Sequence, residues 1–175
     1  MRKLKNKDLQ RITIEEFKRS RKTPITIVLD NVRSALNVGS VFRTSDAFLI
    51  ENIILCGITT TPPNKEIRKA ALGSTNSVSW DFEEKTINAV SKLKKDGYHV
   101  ISVEQVEDSS KLNNLHIPKK PIALIMGNEI NGVSQDVIDM CDDVVEIPQF
   151  GTKHSLNISV ATGIVIWEMW KKFNS

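Results

Sequence analysis

An α/β domain built on a largely parallel sheet is the fold this sequence predicts. Three observations predict it. Short β-branched apolar runs alternate with helix-periodic stretches along most of the chain. Two late apolar runs, residues 121–126 and 143–147, each stop in a loop rich in Gly, Asn, Ser and Glu. The second of these loops opens into a long apolar stretch, Ile158 to Trp170. Ligands of open α/β sheets sit beyond the carboxyl ends of the strands. Both loops are therefore expected on one edge of the sheet, sharing one pocket. A chain of 175 residues with 40% hydrophobic content buries a core as one domain without disulfide staples.

The elements follow in order. Thr13 and Glu16 match a capping box, which predicts a short helix over 14–20 that Pro24 ends. Ile25–Leu29 reads as a strand. A loop over 30–39 leads to a helix over 40–49, with Val41, Phe42, Ser45 and Phe48 on one face and Arg43 at its flank. Ile53–Cys56 is the second strand, closed by Gly57. Residues 58–64 form a loop, and 65–72 a short helix with Gly73 as its cap. Ser77–Trp80 reads as a short strand. Glu83–Asp96 is an amphipathic helix whose lysines gather at the end where the helix dipole favours them. Tyr98–Val103 is a strand, 107–120 is irregular, and a helix over 134–141 separates the two late strands. The last helix, 156–172, is apolar on most sides, which calls for burial against the sheet and against another subunit.

Charge is unevenly placed. Residues 1–22 carry nine Lys/Arg (among them Lys3, Lys5, Lys7, Arg11, Lys18 and Arg19) against three acids, a net of +6 within a chain total of +3. A basic arm on a mildly acidic body suits a polyanion such as nucleic acid, or is a solvated terminus. Lys65, Arg68 and Lys69 form a second basic cluster, of the kind that is usually solvated surface. No apolar run is long enough to span a membrane, and the amino terminus lacks the apolar segment of a signal peptide. Cys56 and Cys141 are far apart, so neither a disulfide nor a zinc site is expected. The three histidines stand in unrelated contexts, and no metal set is expected. A cytoplasmic protein follows from these features.

Candidate site residues cluster beyond the strands. Asn31, Arg33, Asn37 and Arg43 lie in or after the first strand-to-helix loop, where N–H groups and Arg side chains converge on an anion. The alternative is that the asparagines make turn bonds and the arginines are solvated. Glu129 follows a buried strand and either binds a ligand amine or holds its loop by accepting N–H bonds. Ser155 and Asn157 flank a helix start, as helix caps do. The glycine fingerprints of dinucleotide and P-loop sites are absent.

Three segments taken together resemble the SpoU (TrmH-like) RNA ribose methyltransferases of the SPOUT superfamily. They are NVGSVFRTSDAF from Asn37, IMGNEING from Ile125, and IPQFGTKHSLNISVATGI from Ile147. The resemblance implies a deep trefoil knot near the carboxyl terminus, S-adenosylmethionine bound in it, and an obligate homodimer. By position it implies that Gly127, Ile147 and Leu156 hold the cofactor through backbone groups, with Met126, Asn128 and Gln149 close by. It makes Arg43 the catalytic arginine, as phosphate clamp more than base, with Asn37, Glu129, Ser155 and Asn157 completing the site from both subunits. Residues 23–175 would then be the catalytic domain and 1–22 a basic extension. That extension, with Arg33, Lys65, Arg68 and Lys69, would contact RNA, with transfer RNA favoured over ribosomal RNA. A non-catalytic RNA-binding protein on the same scaffold is the alternative.

Overall fold

The computed structural model describes residues 1–5 and 8–174; Lys7 of the basic arm lies outside the described residues. Among the described residues, seven parallel strands form one sheet in the order β3-β2-β1-β6-β4-β7-β5. They are β1 (Thr23–Asp30), β2 (Ile50–Cys56), β3 (Ser79–Glu83), β4 (His99–Val103), β5 (Ser110–Lys111), β6 (Ile122–Met126) and β7 (Asp143–Glu146). The helices are α1 (Ile14–Arg19), α2 (Ala35–Ala47), α3 (Lys65–Ala71), α4 (Thr86–Lys95), α5 (Gln135–Ile138) and α6 (Ile158–Phe173).

The central strands β1, β6 and β4 are covered on both faces, which is why they read as unbroken apolar runs. Ile25, Ile27 and Leu29 of β1 and Leu124 of β6 join α2, α3 and α6 in one core layer. Val28, Ala123 and Ile125 point the other way, into a smaller layer with Val90 and Leu93 of α4 and Val137 of α5. Side chains alternate across a strand, so one strand feeds both layers.

Several boundaries differ from expectation. The first helix ends at Arg19 with Ser20 as its cap, and Pro24 lies inside β1 instead of stopping the helix. Helix α2 begins at Ala35, five residues early, because the Ser34 hydroxyl caps it by accepting from the Asn37 N–H at 3.3 Å. Asn37 and Gly39 are thus helical. Gly39 is there for packing: a Cβ on it would lie 2.5 Å from the Ile67 carbonyl oxygen, so its absence lets α3 press against α2. The third strand runs 79–83, not 77–80, since Ser77 closes a turn onto Ser74. Glu83 is consequently in a strand, and α4 starts at Thr86. Left-handed Leu72, not Gly73, caps α3. Helix α5 is only one turn. The 107–120 stretch contains β5 and a turn that buries Leu112 and Leu115.

Candidate functional site

Parallel strands send all their carboxyl ends to one edge. The loops after β4, β6 and β7 meet there around a cavity of about 670 Å³. The loop after β6 is built first. Gly127 begins it, and a Cβ there would lie 2.3 Å from the carbonyl carbon of Gly132. The loop therefore folds back on itself: Asn128 and Gly132 exchange backbone hydrogen bonds at 3.0 and 2.9 Å. Gly132 turns the chain at φ +66°, a conformation that favours glycine. Asn128 spends its side chain on the same loop, with Oδ1 accepting from the N–H groups of Ile130 and Asn131. Its Nδ2 donates to the Asn31 carbonyl at 2.7 Å, which ties the loop to the end of β1.

Glu129 projects from this loop onto the start of α2. Its carboxylate accepts from the Arg33 and Ser34 N–H groups at 2.9 and 3.0 Å and from Asn37 Nδ2 at 3.2 Å. Burial alone would raise its pKa. The N–H groups of Arg33, Ser34 and Glu129 itself, with the Asn37 amide, outweigh that and hold the carboxyl below its ordinary range. The chain of contacts continues. Asn37 Oδ1 accepts from Asn157 Nδ2 at 3.1 Å, and Asn157 Oδ1 caps α6 by accepting from Ser159 and Val160. Asn157, not Ser155, is the cap. One carboxylate thereby joins the amino ends of two helices, where the helix dipole favours an anion. The loop-holding reading of Glu129 is the one this geometry bears out.

Gly127, Ile147, Leu156, Met126, Asn128 and Gln149 all line the cavity, as do Glu129, Ser155 and Asn157. Asn37 reaches it through Glu129 and Asn157. Arg43 does not line it. Its position on α2 is exposed, in a row with Leu36, Ser40 and Ala47 at helical spacing. Lys65, Arg68 and Lys69 are exposed on α3, which follows the carboxyl edge, and Arg33 is exposed in the loop before α2. Lys3, Lys5, Arg11, Lys18 and Arg19 precede β1, so their segment enters the sheet from its amino edge, the opposite one.

Two groups went unnoticed in the sequence. Glu104 and Gln105 follow β4 and line the cavity. Glu104 accepts from the Val133 N–H at 3.0 Å and the Gln105 N–H at 2.8 Å, and Gln105 Nε2 donates to the His154 carbonyl at 3.0 Å. The pair joins all three cavity loops. The signal was available: like Asn128 and Glu129, they are polar residues just past the end of a buried strand. Asp30, buried at the end of β1, is another. It accepts from Thr86, from Asn31 Nδ2 at 2.9 Å and from the Ser134 N–H at 3.4 Å.

Cys56 and Cys141 are free, and burial pushes both thiols up to about 12, out of reach of nucleophilic chemistry at neutral pH. Among the described residues no group of three or more His, Cys, Asp or Glu side chains could hold a metal ion, and no helix is long and apolar enough to cross a membrane.

Comparison with known proteins bears on this site directly. The chain is 30% identical over 161 residues to a tRNA (guanosine(18)-2'-O)-methyltransferase of Aquifex aeolicus, covering 89% of this chain and 72% of that one. It is 33% identical over 145 residues to a 23S rRNA (guanosine-2'-O-)-methyltransferase of Blochmanniella floridana, covering 83% and 56%. Its fold superposes with a TM-score of 0.82 on an AdoMet-bound rRNA methyltransferase from Sinorhizobium meliloti, at 30% identity over 89% of this chain and 59% of that one. The chain thus spans little more than half the length of two of these three. The sequence profile of the SpoU rRNA Methylase family matches residues 24–167, which include all three cavity loops, and the chain belongs to that family.

Proposed function

We propose that this chain transfers a methyl group from S-adenosylmethionine to a ribose 2'-hydroxyl of RNA, with transfer RNA as the substrate. The observation that carries this reading is the make-up of the carboxyl-edge cavity. Val103, Ile147 and Ile158 give it apolar walls suited to an adenine ring, and Gln149 supplies an amide. Among the described residues no Lys or Arg lines it, while Glu104 and Glu129 do. That donor set fits a cationic adenosine derivative and is a poor site for the phosphates of a nucleotide. When bound, S-adenosylmethionine supplies an electrophilic methyl group on a positively charged sulfur.

The residues divide the work. Gly127, Ile147 and Leu156 hold the cofactor through backbone groups, with Met126, Asn128, Gln149 and Ser155 beside it. Glu129, charged at neutral pH, fixes Asn37, and Asn37 with Asn157 orients the ribose. Arg43 clamps the neighbouring phosphate, its guanidinium donating two parallel bonds. It acts in the cavity of a second copy of the chain. The outer faces of α2 and α6 support that dimer. Leu36, Val160, Ile164 and Trp167 are exposed there, and apolar patches of that kind mark protein interfaces. The 121–169 segment would form the trefoil knot of the superfamily. Residues 23–175 are the catalytic domain, acting in the cytoplasm. Arg33, Lys65, Arg68 and Lys69 contact RNA phosphates near the cavity, and the 1–22 arm, with Lys3, Lys5, Arg11, Lys18 and Arg19, contacts them farther out. Such contacts give affinity and not sequence choice.

The test is methyl transfer from labelled S-adenosylmethionine to bulk transfer RNA and, separately, to ribosomal RNA, with products digested to nucleosides. A labelled 2'-O-methylnucleoside from transfer RNA is the expected result. Label on a base overturns the ribose assignment, and label only in ribosomal RNA moves the substrate to that class, as the Blochmanniella relative's name would have it. Arg43→Ala should lower transfer roughly 10²-fold or more and leave cofactor affinity unchanged; loss of both makes Arg43 a structural residue.

A further inference from the structure

Glu104 follows a different strand from Glu129 yet lines the same cavity. Each of its oxygens accepts one backbone N–H, from Val133 and from Gln105. A carboxylate oxygen accepts two bonds, so each keeps capacity for a ligand. Those two N–H bonds hold the carboxylate close against Gly132, where a Cβ would lie 2.0 Å from Glu104 Oε2. Among the described residues three carboxylates line the cavity, Glu104, Glu129 and Glu146. Lys111 meets the charge of Glu146, and Glu129 is taken up by the start of α2. Glu104 has no ion-pair partner among the described residues, and no Lys or Arg lines the cavity beside it.

We propose that Glu104 is the charge-recognition residue of the cofactor cavity, favouring the methyl donor while its sulfur is positive over the product in which that sulfur is neutral. This rests on the cofactor reading above. The bookkeeping of the transfer makes the distinction sharp. The ribose oxygen forms a bond to the methyl carbon, the carbon–sulfur electron pair returns to sulfur, and the hydroxyl proton leaves to water. The sulfur charge falls from one to zero in that step. A fixed carboxylate then loses its partner, so exchange of product for fresh donor is favoured. A structural strut would make no such distinction, because donor and product have the same shape apart from one methyl group.

The test is calorimetric binding of three ligands to the full chain: S-adenosylmethionine, sinefungin, which carries an amine in place of the methylated sulfur, and S-adenosylhomocysteine. Glu104→Gln is expected to weaken the two cations about tenfold, as loss of one half-buried charge pair does, and to leave S-adenosylhomocysteine within about twofold. Glu104→Asp, which keeps the charge, is expected to restore part of the preference. Equal weakening of all three ligands overturns the proposal and makes Glu104 a loop support. The unsubstituted chain gives a second readout: raising salt should weaken the cations and leave the neutral product unchanged, whereas parallel salt curves count against a charged site. Binding of none of the three by the unsubstituted chain overturns the cofactor reading itself, and this proposal with it.

Discussion

At the amino edge of the sheet, carboxylates are met by Lys and His side chains. Lys94 reaches Asp142 at 2.7 Å, and His99 lies 2.6 Å from Asp143 and 3.9 Å from Asp142. At the carboxyl edge, Asp30, Glu104 and Glu129 are met instead by N–H groups and neutral side chains. The two ends share a sheet and differ in purpose. An ion pair neutralises itself and closes the surface. A carboxylate held only by N–H donors stays fixed while its negative charge remains, ready for a cationic ligand. Glu146, at the end of β7 and paired with Lys111, is the carboxyl-edge exception. The difference teaches where to look in an α/β chain for the reacting end: not where charges are most numerous, but where they are oriented without being cancelled.

The strongest test of that contrast is Asp30→Ala. Asp30 is 2% exposed and binds Thr86, Asn31 and Ser134, which belong to three separate segments. Removing it leaves three donors without an acceptor, a loss of about 3 kcal/mol, or roughly 6–12 °C in Tm. Thermal denaturation should show this, and calorimetry should show weaker cofactor binding as the 127–134 loop loosens. A fall under about 1 kcal/mol would mean the loops are held by something else.

Glu129→Gln comes next, and its effect depends on pH. The carboxyl titrates below its ordinary value of 4.5 in the folded chain. Its stabilisation is therefore fully present above that value and is lost as pH falls through the lowered one. The substitution should lower Tm by about 2–4 °C at pH 7. The gap to the unsubstituted chain should close as pH drops below 4.5. A gap that stays constant down to pH 3 would mean the ionised carboxylate contributes nothing there.

How much of this was legible follows the same division. The strands were legible because β1, β4 and β6 are continuous apolar runs, but their order was not, since nothing in β6 announces that it will lie between β1 and β4. The start of α2 was hidden by Asn37 and Gly39, which read as loop formers; Gly39 is helical, and its missing side chain is what lets α3 pack against it. The position of the cavity was legible from the polar loops after β6 and β7. Glu129 stood out within its loop, while the equivalent Glu104 did not, because its partners Val133 and Gly132 are distant in sequence. Arg43 was legible as a residue out of place on an apolar helix. In the fold it is exposed and does not line the cavity.

The smallest effect expected is Lys94→Ala, and it marks the other side of the comparison. Lys94 also donates to the Met140 carbonyl at 2.8 Å, and its side chain is 38% exposed. Exposed pairs of this kind contribute about 1 kcal/mol or less. Burial would raise the pKa of Asp142; bonds from Lys94 and from the Val100 N–H, with the Lys94 and His99 charges, hold it below its ordinary range. Losing Lys94 should therefore move that pKa up, which an NMR titration would detect. Tm should fall by less than about 4 °C. Cofactor affinity should not move, because the pair sits at the edge opposite the cavity. If affinity does fall, the amino edge is coupled to the cavity through α4 and Asp30, which accepts from Thr86 at the start of that helix. The two ends of the sheet would then have to be read as one site.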